Sequence, residues 1–76
     1  MRTPIELTIE EGSYNTILNL QPSLAIIIGK LLDKGLTPRQ IARAIEGQDL
    51  FLAGIAEMAA AHMLATGTRP SLGEQP

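Results

Sequence analysis

A chain of 76 residues with a formal net charge of -2, one histidine and no cysteine has room for one domain. It excludes disulfide staples, thiolate metal sites and thiol catalysis, and it has no basic tail or basic half of the kind nucleic-acid binding uses. Hydrophobic residues make up 45% and charged residues only 18%, so the chain must hide an apolar surplus against a partner or display a sticky patch, and oligomerisation is the one usual aid to small-domain stability left to it.

The opening, Met1-Arg2-Thr3-Pro4-Ile5-Glu6, does not read as a signal peptide, because no sustained apolar run follows its charge. Ile5, Leu7 and Ile9 then alternate with Glu6, Thr8 and Glu10, a period-2 pattern that predicts a half-buried strand over about 5–9. Glu11-Gly12-Ser13 reads as a turn. In the next segment, 14–20, Tyr14, Thr16, Leu18 and Leu20 line one face of a second strand and complete a hairpin. The other reading is a short helix capped by Ser13 and carrying Ile17, Leu18 and Leu20. Two strands alone are marginal, so helices or a second copy's strands must cover them.

Gln21-Pro22 breaks the segment, Ser23 caps a helix over about 23–34, and Gly35 stops it. Its expected inner stripe is Leu24, Ile27, Ile28 and Leu31, with Ile26 nearly opposite beside Lys30 and Asp33. Gly29 lowers helix propensity but permits the close approach of another backbone. Thr37-Pro38 opens a second helix over about 38–45, with Ile41, Ala42 and Ile45 inward and Arg39 and Arg43 on the other side. Asp49 caps a third over about 50–66, which Gly67-Thr68-Arg69-Pro70 ends, and 71–76 reads as a flexible polar tail. The expected class is α+β and mainly helical: a short N-terminal β-hairpin followed by three helices, in a single interaction domain spanning 1–70. The nearly apolar run from Leu50 to Ala65 is interrupted by Glu57 and His62 and is shorter than the roughly 20 residues of a membrane span. No membrane role is expected, and a cytoplasmic setting is.

The last helix carries the functional expectation. Phe51, Ile55, Met58 and His62 fall in one arc, with Leu52, Ala59 and Met63 in the next. A helix apolar around most of its circumference should be surrounded, and this chain has few elements to surround it. A two-fold homodimer is therefore expected, with Phe51, Leu52, Ile55 and Met63 forming the self-association surface. The plainer alternative is the central core helix of a monomer.

Chemistry finds little support. Glu57 and His62 are five apart on one helix and point roughly 140° away from each other, so they form no intrachain acid–base pair. No serine stands in a recognisable nucleophile context, and the glycines build no phosphate-binding loop. The chain is expected not to be an enzyme, and no catalytic, cofactor or metal residue is assigned.

Gly35-Leu36-Thr37-Pro38-Arg39-Gln40-Ile41-Ala42-Arg43-Ala44-Ile45 resembles the first helix and turn of helix-turn-helix domains, over about a seventh of the chain. The resemblance implies a DNA-associated regulator whose following helix reads bases. That helix opens here as Asp49-Leu50-Phe51-Leu52-Ala53-Gly54, with no donor suited to a groove and an acid where phosphates would approach. The leading expectation is instead a small protein-binding adaptor, subunit or inhibitor that works by occlusion or bridging. Its partner-facing residues are Ile26, Lys30, Lys34, Arg39 and Arg43, and the partner is a protein whose identity the sequence does not give.

Overall fold

The computed structural model describes residues 3–70, and its elements in chain order are α1 (Pro4–Leu20), α2 (Pro22–Asp33), α3 (Pro38–Glu46) and α4 (Leu50–Thr66). Among the described residues there is no β-strand, so the expected N-terminal hairpin is wrong and the class is all-α. The expected tail at 71–76 lies outside the described residues.

What decides α1 is its first turn. The Thr3 hydroxyl accepts a hydrogen bond from the Glu6 amide at 3.1 Å, and the Glu6 carboxylate accepts one from the Thr3 amide at 2.9 Å. This reciprocal cap satisfies two amides that a helix start leaves open, and Pro4 occupies a position where its missing N–H costs nothing. The alternation that suggested a strand buries nothing: Ile5, Leu7 and Ile9 are all exposed, and the buried residues of α1 are Ser13, Tyr14 and Ile17, at helical spacing. Gly12 is an ordinary helical residue, and the Thr8 and Thr16 hydroxyls bond back to the carbonyls of Pro4 and Gly12 at 2.9 Å each.

Pro22 cannot donate to α1, so the chain turns at Gln21, which closes α1 through its amide to the Ile17 carbonyl at 2.8 Å and stands at the start of α2. The buried side of α2 is Ala25, Ile28, Gly29 and Leu32. Leu24 and Leu31 pack at its edge, while Ile27 is half exposed, so the inner stripe is rotated from the expected one towards the small residues that let helices approach. The Thr37–Gln40 pair repeats the reciprocal cap on α3 at 2.8 and 3.1 Å, and the Asp49 carboxylate caps α4 through the Leu52 amide at 3.0 Å.

α4 is the axis of the molecule. It packs against α1, α2 and α3, whereas α1 and α3 do not touch each other. Its buried side is Ala53, Ala56, Ala59, Ala60 and Met63. The four alanines bring the neighbouring helices close, and Ile17, Ile28, Ile41 and Met63 supply the large, fully buried side chains. α4 ends at Gly67, whose φ of 75° is the left-handed conformation that glycine adopts freely, and whose amide reaches the Met63 carbonyl at 2.8 Å. The chain then folds back across α2. Arg69 donates to the carbonyls of Met63 at 2.9 Å and Thr68 at 2.8 Å, and to the Asp33 carboxylate at 3.0 Å. Gly29 makes room for this return, since a Cβ there would lie 3.3 Å from the Arg69 Cδ and 3.5 Å from the Pro70 Cδ.

Candidate interaction surface

α1 and α4 lie antiparallel. Ser13 faces Met58, with 3.8 Å between hydroxyl and sulfur, the Tyr14 and His62 rings sit 4.9 Å apart with a 34° tilt, and the C-terminal end of α1 meets the N-terminal end of α4. Burial raises the Tyr14 pKa above its ordinary value of 10.0.

Two crevices open between these helices. One, of about 180 Å³, is lined by Thr16, Ile17, Leu20 and Gln21 from α1 and by Asp49, Phe51, Leu52 and Ile55 from α4. The second, of about 270 Å³, is lined by Glu6, Ile9, Glu10 and Met58. Both are smaller than the roughly 300 Å³ at which small-molecule sites begin, and each would take only one or two side chains. Leu20 and Phe51, which line the first crevice, are 75% and 79% exposed, and Leu50 and Ile5, each next in the chain to a lining residue, are 73% and 71% exposed.

Of the residues expected to mediate self-association, the structure gathers Phe51, Leu52 and Ile55 around the first crevice. Met63 lies elsewhere: it is fully buried in the core, its sulfur 3.8 Å from where a Gly29 Cβ would stand, and it has no surface to offer. Its arc on α4 points towards α2, which sequence periodicity alone does not distinguish from an outward arc. Leu20, Ile5 and Ile9 complete the apolar surface and were missed because α1 read as a hairpin. The sequence signal that finds them is the Thr-x-x-Glu cap at Thr3 and Glu6.

Of the expected partner-facing residues, Lys30, Lys34, Arg39 and Arg43 are exposed and Ile26 is half-buried. Lys30 and Lys34 belong to the end of α2; Arg39 and Arg43 lie one turn apart on α3. Two acids share these elements: Asp33, which is engaged by Arg69, and the exposed Glu46 at the end of α3. The helix that a helix-turn-helix arrangement would offer to DNA is α4, and here it packs against all three other helices. Among the described residues no three His, Asp or Glu side chains are grouped to hold a metal ion, and no helix is long and apolar enough to cross a membrane. Comparison with protein-family models, with curated proteins and with solved structures gives no match to this chain.

Proposed function

We propose that this chain is a small, non-catalytic interaction protein that pairs with a second copy through the apolar side of α1 and α4 and acts on another protein by occlusion or bridging. The observation that carries the reading is the exposure of Leu20, Leu50 and Phe51 together at one end of the α1–α4 pair, beside a crevice sized for side chains. Monomeric proteins rarely leave such contiguous apolar surface in water, and a chain this short gains stability by covering it. The exposed Lys30, Lys34, Arg39 and Arg43, with the half-buried Ile26, are the residues we assign to an acidic protein partner. A cytoplasmic setting is the default that goes with this reading.

The test is sedimentation over a wide concentration range. The wild-type chain is expected to approach twice its 8.1 kDa mass, and a Leu20→Ser/Phe51→Ser variant is expected to stay monomeric with unchanged helical circular dichroism. A wild-type chain that remains monomeric at the highest concentration overturns the self-association reading.

A further inference from the structure

Resting on that self-association reading, we infer how the second copy sits: α4 packs antiparallel against its own symmetry mate, with the two-fold axis passing beside Met58. The seam follows from the outward side of α4. At about 100° per residue, Leu50, Gly54, Ala61 and Ala65 fall within an arc of about 60°, opposite the buried alanines. Met58 adjoins this arc on the side of α1, and Glu57 and the exposed Leu64 adjoin it on the other side. Leu50, Gly54 and Ala65 are exposed, and Met58 and Ala61 are half-buried.

The order of bulk along this arc selects the direction. In an antiparallel pair centred between Glu57 and Met58, Leu50 lies opposite Ala65 and Gly54 lies opposite Ala61. Leu50 meets Ala65 with Leu64 at its flank, and small meets small one turn further in, so the helices approach closely along the seam. A parallel pair would set Leu50 against Leu50 and Gly54 against Gly54, propping the helices apart at one end and leaving a gap beyond it. Antiparallel macrodipoles add to the preference.

Two further observations fit a second copy as the occupant. Nothing in the subunit occupies the space beside Gly54, where a Cβ would meet no atom within 4 Å, and its bare backbone would let a neighbouring helix approach closely. The area is also of the right order. Complete covering of the exposed parts of Ile5, Ile9, Leu20, Leu50 and Phe51 would remove at most about 600 Å² per copy, so at most about 1,200 Å² for the pair, against the roughly 1,000 Å² a specific pair requires. Ile9, Leu20 and Phe51 line the crevices that flank the α4 seam, so the same two-fold places one copy's side chains over the other's crevices.

The native chain has no cysteine, so single thiols report the seam without background. Full-length Gly54→Cys, Met58→Cys and Ala61→Cys variants are oxidised with copper phenanthroline, alone and in mixtures where one partner carries a mass tag. The antiparallel seam predicts that Met58→Cys cross-links to itself, and that the Gly54→Cys and Ala61→Cys mixture gives mainly the mixed product. Gly54→Cys linking chiefly to itself, with little mixed product, means a parallel seam and overturns the inference. A wild-type dimer in which none of the three positions cross-links shows that the pair forms through another face and overturns it too, while the self-association reading stands. A monomeric wild-type chain overturns both.

Discussion

Replacing Arg69 with alanine is expected to cost about 2 kcal/mol, although the residue lies beyond the last helix. The figure has three parts. The ion pair with Asp33 contributes at most about 0.5 kcal/mol, because the Asp33 side chain is 62% exposed and water screens it. The hydrogen bond to the part-buried Met63 carbonyl is charge-assisted and contributes about 1 kcal/mol, reduced because the Gly67 amide also serves that oxygen. The remainder is the Arg69 stem packed over Gly29, whose removal exposes the seam between α2 and α4. In a domain of this size the midpoint of thermal unfolding should fall by about 10 °C. Urea denaturation followed by helical circular dichroism measures the loss, at one protein concentration so that association does not shift the baseline. Asp33→Ala should lose only the ion-pair part, and Arg69→Lys should recover little, since an ammonium cannot span three oxygens as the guanidinium does. A loss below about 0.5 kcal/mol for Arg69→Ala, or an equal loss for Asp33→Ala, would refute this account of the clasp.

Met63→Ala should destabilise by about 2–5 kcal/mol in urea, as expected for a fully buried side chain. Phe51→Ala, at a site 79% exposed, should leave the stability of the isolated subunit within about 0.5 kcal/mol while weakening association; equal effects would mean that α4 is oriented differently. Thr3→Ala removes the hydroxyl that holds the Glu6 amide and should cost about 1 kcal/mol with loss of helical signal from α1, whereas a strand at 5–9 would be indifferent to it. Tyr14 supplies the alkaline limit. Its pKa is raised by burial, so its contribution is fully present below the ordinary value of 10.0 and is lost as pH rises through the folded value. Stability of the wild-type chain should therefore fall above about pH 10, and Tyr14→Phe should flatten that decline. As Tyr14 is the sole tyrosine and tryptophan is absent, its phenolate absorbance reports the titration directly.

Three of the four helices are legible in the sequence because prolines, glycines and capping side chains mark their ends, although the cap expected from Ser23 is not made: α2 begins at Pro22 behind Gln21, with no side-chain cap hydrogen bond. Thr37-Pro38 with Gln40, Asp49 ahead of Leu52, and Gly67 each satisfy or release specific backbone groups, and the observed spans of α2, α3 and α4 differ from the expected ones by a residue or less. α1 is illegible for a physical reason. Isoleucine and threonine alternating with glutamate suit a pleated surface, and Gly12 suits a turn. The competing information is the reciprocal cap of Thr3 and Glu6 with Pro4 between them, and once that nucleus forms the alternation becomes exposed surface. The interaction surface is half legible for the same reason. Phe51, Leu52 and Ile55 follow from the circumference of α4, while Leu20, Ile5 and Ile9 require α1 to be a helix lying beside it. Arg69 is invisible in the sequence, because its partners on α2 and α4 are set by tertiary packing alone.

The place of α4 at the centre of the core has a consequence for biosynthesis. The ribosome delivers α1, α2 and α3 before the element that separates and holds them, and pairs such as Ser13 with Met58 span 45 positions. Until Leu50–Thr66 has emerged, Ile17, Ile28 and Ile41 have no common ground to settle on, so the nascent chain is a string of loosely associated helices. A chain cut short ahead of α4 lacks the helix on which the other three pack, and is expected to be open to proteolysis and aggregation.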